Sequence, residues 1–175
     1  MGAVVASASQ PAVAAIKLAW WRERLQELDD GKVPAEPRFE AAVRELLPRG
    51  VSGAQLSELE SGWAALLQQE PDPDETLERG VRLFEMAARL LDVSPPDYLR
   101  IGGRIYVAGQ LTRCRLAPPG LGFVVGGPRV PTRFRRLTGM SVLARRDLRR
   151  APGLEPEATP GRAWALLRHR LTGRY

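Results

Sequence analysis

The stretch Asp74-Glu75-Thr76-Leu77-Glu78-Arg79-Gly80-Val81-Arg82-Leu83-Phe84-Glu85-Met86-Ala87-Ala88-Arg89-Leu90-Leu91 decides the class of the fold. Leu77, Val81, Phe84, Ala88 and Leu91 recur at three- and four-residue intervals, which places them on one stripe of an α-helix. Asp74 is positioned to cap the helix, because a short acceptor ahead of the first turn takes up one of its free N–H groups. Glu78 and Arg82 stand four apart and are expected to pair on the exposed side, a contribution of about 0.2–0.5 kcal/mol. The turn Glu70-Pro71-Asp72-Pro73 precedes this helix, and Ser94-Pro95-Pro96 breaks the chain after it.

The same spacing continues in both directions. Val13, Ile16, Trp20, Leu25 and Leu28 are expected to line one face of a first helix, ended by Asp29-Asp30-Gly31. Phe39, Val43, Leu46 and Leu47 make a short second helix, closed by Pro48-Arg49-Gly50. Ser52 and Gln55 have capping-box spacing and open a third helix, with Leu56, Leu59, Trp63, Leu66 and Leu67 on its stripe. After the deciding stretch, Ile101, Ile105, Ala108 and Leu111 mark a fifth helix. Gly102-Gly103 and Gly109 let neighbours approach it closely, at about 1 kcal/mol each against alanine. Residues 116–132 form an internal Gly/Pro-rich loop, with Phe123-Val124-Val125 as an extended piece within it. Phe134, Leu137, Met140, Leu143, Ala144 and Leu148 give a sixth helix. Thr159 caps and Pro160 starts a last one, which carries Trp164, Leu167 and Leu171 and stops at Gly173. The expectation is an all-α chain, with residues 1–175 forming a single helical domain.

Composition bounds the function. The chain has 175 residues, 44% apolar and 26% charged, close to globular averages and far from those of a disordered chain. Such a length buries a core without disulfides or metals. Cys114 is the only cysteine and suits a reducing compartment; His169 is the only histidine. A zinc site or a Cys–His nucleophile pair therefore has almost nothing to build from. Between Arg168 and Arg170, His169 is expected at the surface. No run of about 18 apolar residues predicts a membrane-spanning helix. Residues 1–19 lack a positive start and are interrupted by Pro11 and Lys17, so no signal peptide is read there and a cytoplasmic location is expected.

Charge is unevenly spread. Residues 1–98 hold 10 Lys+Arg against 17 Asp+Glu, whereas residues 99–175 hold 16 Arg against Asp147, Glu155 and Glu157. Arginine outnumbers lysine 24 to 2. The basic half suits phosphates, acidic lipid or an acidic partner, including peripheral contact with the inner face of a membrane. Nucleic acid is disfavoured, because aromatics are only 6% and leave little for base stacking.

Metal–diphosphate chemistry needs carboxylates spaced to share a helix face. No Asp-x-x-x-Asp occurs; the nearest approaches are Asp74…Glu78, Glu23…Glu27 and Glu36…Glu40. Asp74 is better explained as a cap, and Glu23 and Glu27 among Arg22 and Arg24 as a solvated face. Gly120-x-Gly122 and Gly126-Gly127 have neither a preceding strand nor a Gly-Lys-Ser/Thr to make a phosphate loop.

Three segments together resemble the squalene/phytoene synthase family. They are Trp20-Trp21-Arg22-Glu23 with Pro34-Ala35-Glu36-Pro37 after it, Gly102-Gly103 through Ala108-Gly109-Gln110-Leu111-Thr112-Arg113, and the tail Pro160-Gly161-Arg162-Ala163-Trp164 to Arg174. The resemblance implies a helical bundle of the isoprenoid-synthase type around a cavity. In active members, two Asp-rich helices hold Mg²⁺ and two prenyl diphosphates that are joined head to head. It also implies that Trp20, Trp21, Arg22, Arg104, Gln110 and Arg113 face that cavity. The first Asp motif would precede Trp20, where residues 1–19 contain no acid. The second would follow Gln110-Leu111, where the chain reads Thr112-Arg113-Cys114-Arg115. A start upstream of Met1 would place a missing helix or two there. Short relatives without these motifs are similar to the complex I assembly factor branch of the family. The implied role is a non-catalytic scaffold, assembly factor or prenyl-lipid binder with an unidentified protein partner and no cofactor. The alternative is a Mg²⁺-dependent prenyltransferase of isoprenoid biosynthesis.

Overall fold

The computed structural model describes residues 1–118 and 129–174. They form α1 (Gly2–Ala6), α2 (Pro11–Gln26), α3 (Pro37–Glu45), α4 (Gly53–Ser57), α5 (Ser61–Ala64), α6 (Pro73–Arg89), α7 (Asp97–Cys114), α8 (Arg135–Arg150) and α9 (Pro160–Thr172). Short 3₁₀ turns lie at Glu27–Asp30, Leu47–Arg49, Ala65–Leu67 and Thr132–Phe134. No strand occurs among the described residues, and the chain is an all-α bundle. Most of the loop expected at 116–132, including Phe123-Val124-Val125 and the glycine pairs, lies outside the described residues.

Three long helices make the centre. α7 packs along α6 on one side and α8 on the other, and α9 lies against α8. The stripe Leu77, Val81, Phe84 and Ala88 is buried, as its spacing predicts. Phe84 and Ala88 join Leu99, Val130 and Phe134 in one core cluster, and Leu77 joins Val107, Ala108 and Leu111 in another. A third cluster of Leu28, Phe39 and Ala42, with Trp21 and Leu25 against it, holds α2 to α3.

The ends of the helices follow local chemistry. Ser52 and Gln55 form the expected capping box, and the Thr159 hydroxyl accepts from the Arg162 N–H ahead of Pro160. Gly31, Gly50 and Gly173 close their elements in the left-handed conformation, which glycine adopts without a Cβ penalty.

Several expectations are corrected. Asp72 caps α6, accepting from the Asp74 N–H, because Pro73 takes the first helical position; Asp74 instead pairs with Arg104. Leu91 lies beyond the helix end and is exposed. Glu78 and Arg82 do not pair: Glu78 meets Arg100, and Arg82 donates to the Glu58 carbonyl and the Ser61 hydroxyl. Both find partners on neighbouring elements. The third helix is broken into α4, α5 and a 3₁₀ turn. Ser57 and Ser61 hydroxyls bond back to the Ala54 and Glu58 carbonyls there, in competition with the helical ladder.

On α2 the buried residues are Ala14 and Leu18, while Val13, Ile16 and Trp20 are exposed. Apolar residues stand all around this helix, and contact with α4 selects the face. Gly53 sits so close that a Cβ there would lie 2.0 Å from the Leu25 carbonyl oxygen. On α9 the buried residues are Arg162 and His169, while Trp164, Leu167 and Leu171 face outward. His169 is thus a core residue. Its ring lies between the Thr138 hydroxyl, 2.9 Å from Nε2, and the Arg174 carbonyl, 2.8 Å from Nδ1.

Candidate functional site

Gly109 brings α7 and α8 into contact, since a Cβ there would fall 2.5 Å from that of Ala144. Beside this contact the two helices leave a groove of about 180 Å³. Tyr106, Gln110 and Arg113 come to it from α7, Met140, Leu143 and Asp147 from α8, and Glu157 and Arg162 from the chain beyond. Its walls are largely apolar, and its charged groups gather at one end.

That end is an ion network built on two acids. Asp147 is buried and accepts from Arg113 at 3.0 Å and from Arg162. Arg113 also donates through both terminal nitrogens to the Glu155 carbonyl, each at 3.2 Å. The Glu155 carboxylate accepts from Arg146, from Arg150 at 2.6 Å and from the Thr159 hydroxyl. The Arg146 hydrogen bond, followed by that of Thr159, pulls the Glu155 carboxyl down to about 2. The same bond raises the Arg146 guanidinium above its ordinary range. Each acid therefore lies between two guanidinium groups, and the two sets of contacts tie α7, α8 and the start of α9 together.

On its other side Gln110 reaches Arg79 of α6, whose Nη2 donates to Gln110 Oε1 at 3.1 Å. Arg79 is 5% exposed and lies over the Trp63 ring at 3.4 Å. No ion pair to an acid is formed by Arg79 among the described residues, and its Nε has no hydrogen-bond partner. Burial lowers its guanidinium to about 10.

The six residues expected at a cavity are divided among different places. Gln110 and Arg113 line the groove. Arg104, on the same helix, turns to Asp74 of α6. Trp21 packs against Phe39 with ring centroids 4.9 Å apart, and Trp20 lies exposed at the edge of the same aromatic group. Arg22 faces the buried Glu60 at 3.5 Å. Sequence reasoning missed Arg79, Asp147 and Arg162. Asp147 alone carried a signal, as one of three acids in an arginine-rich half.

Among the described residues no group of three or more His, Cys, Asp or Glu side chains is arranged to hold a metal ion. No described helix is long and apolar enough to cross a membrane. The chain matches no family model, no curated protein and no solved structure.

Proposed function

We propose that this protein is a non-catalytic relative of the squalene/phytoene synthases, acting as a scaffold or assembly factor whose α7–α8 groove takes up a prenyl lipid or a segment of a partner. The observation that carries this reading is the state of Asp147, at the groove, and of Glu155, in the ion network beside it. Asp147 and Glu155 are each engaged by two arginines and tie helices together. A carboxylate that grips Mg²⁺ and diphosphate must bring negative charge to the ion, and here two guanidinium groups already balance each acid. Arg113 stands in the stretch where the resemblance would place the second acidic motif, and it is itself bound to Asp147. The apolar walls around Tyr106, Met140 and Leu143 suit a hydrocarbon chain.

Thermal unfolding with farnesyl or geranylgeranyl diphosphate, with and without Mg²⁺ and against inorganic pyrophosphate, tests the reading. A prenyl ligand at 100 times its dissociation constant adds about 2.7 kcal/mol, or on the order of 2–4 °C for each kcal/mol. The expected result is no Mg²⁺-dependent rise and no condensed product. A prenyl-specific rise without Mg²⁺ would mark the groove as a lipid site. A Mg²⁺-dependent rise with product would replace the scaffold by a prenyltransferase.

A further inference from the structure

α9 presents two unlike sides. Arg162, His169 and Gly173 are buried on its inner side. Diametrically opposite, Trp164, Leu167 and Leu171 are 64%, 46% and 67% exposed. Their spacing of three and four residues makes them one outward stripe. At 100° per residue, Arg168 falls on one flank of that stripe and Arg170 on the other, and Arg174 follows just past the helix end at Gly173. The cations of this region sort by side. Arg162, Arg135 and Arg129, on the inner side, are hydrogen-bonded to Asp147 and to the last carbonyls of α9. The side chains of Arg168, Arg170 and Arg174 form no ion pair among the described residues. Residues 160–175 contain no acid.

We propose that α9 is a docking helix for an anionic lipid surface and lies in the plane of the headgroups. A centre of tryptophan and leucine framed by arginines is the chemistry of an interfacial helix. Trp164 would sit at headgroup depth, and the flanking guanidinium groups would meet lipid phosphates. A bilayer also fits the shape, because a single convex helix face needs no matching pocket in its partner. A second copy of the chain fits poorly, since pairing two such faces would bring the arginines of both flanks together without an acid between them. The stripe is on the far side of α9 from Arg162, so its behaviour is separable from that of the groove.

Co-sedimentation with vesicles of phosphatidylcholine alone and of phosphatidylcholine with phosphatidylglycerol tests this. The protein is expected to bind only the anionic vesicles and to release as salt shortens the Debye length. Leu167→Glu with Leu171→Glu is expected to abolish binding. Arg168→Gln, Arg170→Gln and Arg174→Gln together are expected to weaken it about a hundredfold. All five positions are exposed, and unchanged circular dichroism would show both variants folded. Equal binding to neutral vesicles, binding that survives both variants, or no binding to either vesicle overturns the proposal. A defined protein partner that binds this face while the vesicles do not would reassign it.

Discussion

Gly80 of α6 and Gly103 of α7 meet backbone to backbone. A Cβ on Gly80 would lie 2.0 Å from the Gly103 carbonyl oxygen, and one on Gly103 would lie 2.2 Å from the Gly80 carbonyl oxygen. The crossing of the two central helices is therefore set by the absence of two side chains. Alanine at either position gains about 1 kcal/mol of helix propensity. It also forces two backbones apart, and rotating a side chain cannot relieve that. Overpacking of a core typically costs about 1–3 kcal/mol, and backbone contact belongs at the upper end. Gly103→Ala is expected to lose about 2 kcal/mol net and several degrees of melting temperature. A stability equal to or above the parent would show that the helices separate freely.

Asp147 carries the second prediction. It is buried with Arg113 and Arg162 on one oxygen, so Asp147→Asn leaves two guanidinium groups without their counter-charge. Removing one partner of a buried pair costs about 3–5 kcal/mol. Arg113 keeps the Glu155 carbonyl and a distant Glu157, which places the expected loss near the lower figure. Urea denaturation of the variant reads it directly. A loss well under about 1 kcal/mol, the range of solvent-exposed pairs, would mean that water already screens the pair.

The helical class and most helix ends were legible because they rest on local signals: apolar spacing on α6, the Ser52–Gln55 box, Thr159-Pro160, and glycines at 31, 50 and 173. Gly103 and Gly109 were also legible as points of close approach. Which way a helix turns was not legible where apolar residues ring it. Val13, Ile16 and Trp20 on α2, and Trp164, Leu167 and Leu171 on α9, share the spacing of a core stripe and face outward. The periodicity of α9 marked a real apolar face, but burial went to Arg162 and His169 because Asp147 and Thr138 await them on α8. Of the residues lining the groove, the resemblance names Gln110 and Arg113. Arg79 was hidden because a buried cation stacked on Trp63 leaves no pattern in the chain.

Burial makes His169 pH-sensitive. Desolvation lowers its pKa from the ordinary 6.5, and the nearby Arg135 charge acts in the same direction against the hydrogen bond to the Arg174 carbonyl. The folded state thus prefers the neutral ring. In the unfolded chain the imidazole takes up its proton first, so stability is full above about 6.5 and declines as pH falls from there through the lower folded value. Urea midpoints measured from about pH 8 down to about pH 5 should fall for the parent. His169→Gln should be less stable at the alkaline end yet lose less over that interval. Parallel curves would assign the slope to other groups.

Arg79 supplies the last prediction, and its sign is unusual for a buried residue. Three effects act on the guanidinium. Stacking on Trp63 contributes about 0.5–2 kcal/mol, and the bond to Gln110 adds about 1 kcal/mol or slightly more, being charge-assisted. Against them stands desolvation of a full charge that forms no ion pair among the described residues, several kcal/mol even after relaxation. Desolvation outweighs the other two, which is also why the guanidinium is lowered to about 10. Arg79→Met keeps the length and the contact with Trp63 while removing the charge, so it is expected to raise stability by about 1 kcal/mol. Arg79→Ala removes the charge and opens a cavity between α5, α6 and α7, so it is expected to fall below the parent by about 2 kcal/mol. Chemical denaturation of the two variants separates charge from volume. If methionine proves as damaging as alanine, the guanidinium stabilises the fold through Trp63 and Gln110, and those two contacts outweigh the burial of its charge.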